Sequence, residues 1–151
     1  MKKRIAVTGI GVVSPLGSDC KTLWEHLIQG ISGIGTIEEL SGLPVTFGGR
    51  ARAFDPARHL GPKDIRRMDR YTQIAVSCGL DAFAQAGISP ESYPGHRVGV
   101  LMGTGAGGMN TIEEQIAAFR EKGHRRVSPL TVPMFIPNIA SAELAMKIGA
   151  R

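Results

Sequence analysis

Residues 98–108 read VGVLMGTGAGG and run directly into residues 109–122, where Ile112, Ile116, Ala117 and Phe119 fall at helical spacing. A short apolar run that ends in glycines and passes into an amphipathic stretch predicts a strand, a tight turn and a helix. Gly103, Gly105, Gly107 and Gly108 leave the backbone almost bare. A chain needs that where it turns sharply or where a ligand or a second segment must come close. Any fold available to this sequence has to set the loop against something.

The same glycines satisfy G-x-G-x-x-G, the phosphate-cradling pattern of dinucleotide sites. A dinucleotide site also requires a second strand that ends in an acid about twenty residues on, to hold the ribose. Here residues 127–137, VSPLTVPMFIP, contain no acid and carry Pro129, Pro133 and Pro137. The pattern therefore fits a turn that packs a helix on a sheet at least as well as a ligand loop, and no cofactor is expected.

The rest of the chain alternates similar signals. Residues 4–8 predict a buried strand, followed by a loop through Pro15 and Gly17. Ser18 or Asp19 is placed to cap a helix in which Leu23, Trp24, Leu27 and Ile28 share a face, closed by Gly30. Residues 31–43 are broken by glycines, and residues 44–54 predict an edge strand with a bulge at Gly48-Gly49. Asp55-Pro56 starts a helical turn that Gly61-Pro62 stops. The longest amphipathic pattern follows, with Met68, Tyr71, Ile74, Ala75, Cys78, Ala82 and Phe83 on one face up to Gly87. Residues 127–137 predict a folded loop, because prolines recur every fourth residue. Asn138 is placed to cap a small-residue helix over 139–148 that can pack closely on a neighbour. The alternation argues for a layered α/β domain with a largely parallel sheet, and the pattern stops at a helix with no strand after it.

Composition narrows the function classes. A chain of 151 residues with 42% hydrophobic content suits one domain with an ordinary core. No apolar run approaches the roughly 20 residues of a membrane span, and the start lacks a cleavage-site pattern. Two cysteines, Cys20 and Cys78, without a C-x-x-C predict reduced thiols in a cytoplasm. His26, His59, His96 and His124 are scattered, so no metal site is expected. The net charge of +5 is concentrated. Arg50, Arg52, Arg58, Lys63, Arg66, Arg67 and Arg70 stand against only Asp55, Asp64 and Asp69, and a second cluster joins Arg120, Lys122, Arg125 and Arg126 beside His124. Two basic patches call for an acidic partner. With aromatics at 5% and only Phe54 within residues 50–70, nucleic acid is disfavoured.

Four stretches taken together resemble a known family: IAVTGIGVVSPLG, KDIRRMDRYTQIAVSCGLDAFAQAG, VGVLMGTGAGG and RRVSPLTVPMFIPNIASAELAMKIGAR. In order and spacing they are similar to the N-terminal part of beta-ketoacyl-acyl-carrier-protein synthases, type II in particular. The resemblance covers essentially the whole chain, so residues 1–151 are expected to form an N-terminal beta-ketoacyl synthase domain that stops before the catalytic cysteine.

The resemblance implies the N-terminal half of a thiolase-like fold, layered α/β with a mixed, mostly parallel sheet. It also implies a homodimeric condensing enzyme of fatty-acid or polyketide elongation, with acyl carrier protein as partner and neither nucleic acid nor membrane. The family nucleophile lies in a T-A-C motif just beyond the segment matched by residues 146–151, and its histidines and lysine come later still. Cys20 and Cys78 match neither its context nor its position, so no catalytic residue is carried over and the chain alone is expected to be inactive. The family's carrier-docking rim falls on Lys63, Arg66, Arg67, Arg125 and Arg126. Its acyl pocket falls on Gly105, Ala106, Thr131 and Met134. Ala106 and Thr131 are smaller than the family's usual residues and imply a roomier pocket. A non-catalytic chain-length factor or carrier-docking module of the same fold is the alternative.

Overall fold

A computed structural model describes residues 4–89 and 91–151. Its helices are α1 (Cys20–Ile28), α2 (Pro62–Ile65), α3 (Arg70–Gln85), α4 (Met109–Lys122), α5 (Thr131–Phe135) and α6 (Ile139–Ile148). Strands β1 (Ile34–Thr36) and β2 (Phe47–Gly49) form an antiparallel hairpin.

The fold is organised on α3, the long amphipathic pattern seen in the sequence. Asp69 begins it by accepting from the Tyr71 amide, and Thr72, Val76 and Ser77 are its buried residues. α6 lies against it closely enough that a Cβ on Gly79 would stand 2.2 Å from Leu144 Cδ2. Leu60, Met68, Val76, Leu144 and Ile148 form the core. Each such aliphatic side chain contributes about 1.5–3 kcal/mol on full burial. The N-terminal segment crosses α3 beside α6, at backbone contact. A Cβ on Gly9 or Gly11 would lie 1.9 Å from the carbonyl oxygen of Ala82 or Cys78 respectively. The Ile10 amide donates to Gln85 Oε1 at 2.6 Å.

Several expectations need correction. Residues 4–8 are neither a strand nor buried: Ile5 is 95% and Val7 83% exposed. Residues 98–104 are extended without ladder partners. Their alternation is that of a strand, since Val98, Val100 and Met102 pack on the core while Leu101 is 99% exposed. A ladder needs a neighbour within hydrogen-bonding distance, and these two segments instead flank a groove of about 610 Å³ lined by Val7, Phe83, Tyr93, Leu101 and Ile148. The layering of helices under extended chain is present, but no parallel ladder forms among the described residues.

Gly48 and Gly49 do not form a bulge; they pair in regular register with Gly35 and Ile34. The partner strand, β1, lies in the glycine-broken stretch that propensity marks as irregular. Within 127–137 the loop contains helix α5, and Pro133 is accommodated in its first turn, where the amide it lacks would have no partner in the helix. Asn138 precedes α6, but its side chain makes no capping bond; its carbonyl instead accepts from Ser141 Oγ. Asp19 does cap α1, accepting from the Thr22 amide at 2.8 Å. The apolar face of α1 is open, with Trp24 64% exposed.

Candidate functional site

The basic segment between Arg50 and Arg70 divides once its partners are counted. Arg50 pairs with Glu39, and Arg58 reaches Asp81 at 3.1 Å. Arg52 donates to the Thr36 carbonyl and Arg70 to the Ala51 carbonyl. Lys63, Arg66 and Arg67 are exposed and take part in no ion pair among the described residues. They occupy α2 and the turn into α3, with Arg66 at the C-terminal end of α2.

The three acids of the segment are all occupied. Asp55 accepts from the Ala57 amide at 2.9 Å. Asp64 binds Lys147 of α6 at 2.7 Å. Asp69 is 5% exposed and accepts from the Thr111 amide and hydroxyl at 2.8 and 2.7 Å. None of these three carboxylates is in an ion pair with Lys63, Arg66 or Arg67.

Arg125 and Arg126 sit on the turn His124–Arg126 that follows α4, introduced by Gly123 at φ +77. Both are exposed, and neither is in an ion pair among the described residues. This turn packs on α4, whereas α2 packs on the Pro56–Arg58 turn. The five predicted rim residues thus stand on two separate projections, both carrying unpaired positive charge.

The glycine loop meets α5. The Gly108 amide donates to the Phe135 carbonyl at 3.0 Å. A Cβ on Gly107 would lie 2.3 Å from the Phe135 oxygen, and one on Gly108 would lie 2.7 Å from the Met134 oxygen. The bare backbone is thus required for the loop to reach the helix that carries Thr131 and Met134. Those two side chains are half-buried, whereas Gly105 and Ala106 are exposed. Beside the loop is a cavity of about 240 Å³ lined by Tyr71, Ile74, Met102, Gly103, Pro137 and Ala140, among others. Gly105, Ala106, Thr131 and Met134 do not line that cavity. The Tyr71 hydroxyl donates to the Ile136 carbonyl at 2.6 Å, and burial pushes its phenol pKa up.

Asp69 and Tyr71 are the residues that sequence reasoning overlooked. Asp69 caps α3 with one oxygen and with the other satisfies the first turn of α4, whose own cap position is Gly108 and offers no side-chain acceptor. One carboxylate therefore locks the basic turn, α3 and the glycine loop together. The signal was available, as an Asp in the first turn of the longest amphipathic pattern, where a helix cap is expected. Cys20 lies in the first turn of α1, its Sγ 3.5 Å from the Ile10 carbonyl, and Cys78 is half-buried. Burial, with the Asp81 charge a smaller cause, raises the Cys78 thiol pKa.

Residues 2–151 match the family described as beta-ketoacyl synthase, N-terminal domain. The chain is 38% identical over 151 residues to 3-oxoacyl-[acyl-carrier-protein] synthase 2 of Staphylococcus aureus (strain COL), covering 99% of this chain and 36% of that protein. It is 37% identical to the Synechocystis protein of the same name, again over 36% of its length. The chain therefore spans little more than a third of these curated relatives. Among solved structures, a type II PKS ketosynthase in complex with its acyl-carrier protein superposes with a TM-score of 0.81 at 22% identity, covering 98% of this chain and 39% of that one. The ishigamide ketosynthase/chain length factor gives a TM-score of 0.83 at 23% identity, covering 95% and 36%.

Proposed function

The chain belongs to the beta-ketoacyl synthase N-terminal domain family, and from that premise we propose that it is the carrier-docking portion of an elongating condensing enzyme. In this reading the complete protein takes an acyl group from acyl carrier protein and joins it to a malonyl-derived carbanion with loss of carbon dioxide. The nucleophilic cysteine and its supporting histidines lie outside the 151 residues, and the chain by itself binds a carrier without catalysing condensation. The complete protein is a cytoplasmic homodimer in the same reading. Residues 4–10 and 98–104 act there as strands of a mixed sheet whose further members enter the apolar groove between them. The exposure of Ile5, Val7 and Leu101 supports this, since apolar side chains on extended backbone gain most when a sheet closes over them.

The observation that carries the docking reading is that the exposed cations of both turns are in no ion pair among the described residues. Asp64 is paired with Lys147, and Asp55 and Asp69 are turned to backbone amides and the Thr111 hydroxyl, so none of the three forms an ion pair with Lys63, Arg66 or Arg67. Exposed cations of this kind recognise an acidic protein surface through many individually weak contacts and steer its approach. In this reading the acyl end of the site is built on the glycine loop, with Gly105 and Ala106, and on α5, with Thr131 and Met134.

Charge reversal tests the docking surface. Arg66→Glu and Arg126→Glu are each expected to weaken binding of acyl carrier protein about tenfold, measured by titration calorimetry at low salt. Both side chains are exposed, so folding should be unchanged by circular dichroism. Unaltered affinity in both variants would remove the basic turns from the docking surface.

A further inference from the structure

Beside the hairpin is a cleft of about 960 Å³, lined by the three cations Arg50, Arg52 and Arg70 and the two acids Glu38 and Glu39, with Phe54 among the rest. Lys63, Arg66, Arg67, Arg125 and Arg126 do not line it, so it is separate from the proposed carrier rim. Three arginines line it from three parts of the chain: the end of the hairpin, the following turn and the first residue of α3.

Two of the three are held in place without being neutralised. Arg52 donates one N–H to the Thr36 carbonyl at 3.1 Å, and Arg70 donates one to the Ala51 carbonyl at 2.9 Å. Arg70 also lies over the Phe54 ring, 5.3 Å from its centroid. A carbonyl removes no charge, and a guanidinium carries five donors, so each group keeps most of its donors and its full charge while one N–H ties it to the backbone. The third, Arg50, is already bound to a carboxylate, that of Glu39. Both partners are about half exposed, and the guanidinium holds the Glu39 carboxyl below its usual range. Glu39 thus acts as an internal anion bound to one arm of the cleft.

The geometry points to a second binding site, in which Arg52 and Arg70 take a phosphoryl group, free or esterified, and Arg50 joins them as the group displaces Glu39. A phosphate with two negative charges matches two preorganised planar forks better than a monoanion does. The cleft is far larger than the bare ion and lies in the range of small-molecule sites, with Phe54 and Ala51 as an apolar wall for the remainder of an ester.

Titration calorimetry on the 151-residue protein at low salt, with inorganic phosphate and with phenyl phosphate as probes, tests the assignment. Saturable binding is expected at about millimolar concentration or below. Arg52→Gln and Arg70→Gln should each weaken it about fivefold, while Lys63→Gln leaves it unchanged. Glu39→Gln should tighten it about threefold, a gain that a folding defect does not produce. Tighter binding of phenyl phosphate assigns the cleft to an ester, and equal binding assigns it to free phosphate. The proposal is overturned by no saturable binding of either probe up to about 10 mM, by indifference to both arginine substitutions, or by loss of binding in Lys63→Gln. None of these results bears on carrier docking, which involves the other basic residues.

Discussion

Replacing Asp69 with alanine removes three hydrogen bonds that join two helices. Its carboxylate accepts from the Tyr71 amide at 3.2 Å and from the Thr111 amide and hydroxyl at 2.8 and 2.7 Å. Two helix caps are lost at about 1 kcal/mol each. The Thr111 hydroxyl, on a residue only 4% exposed, is left without its acceptor at a cost of about 1 kcal/mol more. The sum is about 3 kcal/mol, which for a chain of this size lowers Tm by about 6–12 °C. Urea unfolding followed by circular dichroism should show the midpoint falling with no change in slope. Asp69→Asn keeps one carbonyl acceptor for Tyr71 but turns a donor towards the Thr111 amide, so its cost should be about 2 kcal/mol. Thr111→Val removes the hydroxyl and keeps the capped amide, and should cost about 1 kcal/mol. A loss below about 0.5 kcal/mol in Asp69→Ala, or equal losses in all three variants, would refute the shared-cap reasoning.

Three further outcomes follow from the packing and the basic turns. Gly9→Ala places a methyl 1.9 Å from the Ala82 carbonyl oxygen, so the N-terminal segment should lift from α3. Hydrogen exchange at Ile10, whose amide donates to Gln85, should then lose protection, and retained protection would contradict the contact. Gly79→Ala meets Leu144 at 2.2 Å and should destabilise the α3–α6 pair by about 1–3 kcal/mol in the same urea assay; no change would show that α6 can shift freely. Burial raises the Cys78 thiol pKa, so the folded state holds that proton more tightly than the unfolded one. Its contribution to stability is complete below the unfolded thiol pKa of about 8.5 and is lost as pH rises through the folded value. Stability should fall as pH rises above the unfolded thiol pKa of about 8.5 in the parent and less so in Cys78→Ala, and identical pH slopes would contradict the assignment.

Helices with strong periodicity were legible in the sequence. The glycine-loop helix, the long α3 pattern ending before Gly87, and the Asp19-capped α1 all stand where spacing and caps place them. Residues 98–104 were legible in pattern but not in state, because alternation records which side chains face the core while strand formation depends on a bonded neighbour. β1 was missed because Ile34 and Thr36, which favour strands, are isolated by Gly33 and Gly35 in a run of only three residues, and their pairing with Phe47, Gly48 and Gly49 is a tertiary matter. α5 was missed because proline counts against a helix interior but not against a first turn. The basic residues were visible as a cluster, but which of them are unopposed was not. That depends on Lys147 reaching Asp64 and on Thr111 reaching Asp69 across 83 and 42 residues of sequence.

Binding of acyl carrier protein to the 151-residue chain at two ionic strengths tests the central reading most directly. Unopposed exposed charge on Lys63, Arg66, Arg67, Arg125 and Arg126 predicts saturable binding at about 50 mM salt that weakens at least tenfold by about 300 mM, as screening shortens the reach of each cation. No binding at low salt, or binding indifferent to salt, would contradict an electrostatic docking surface on these two turns.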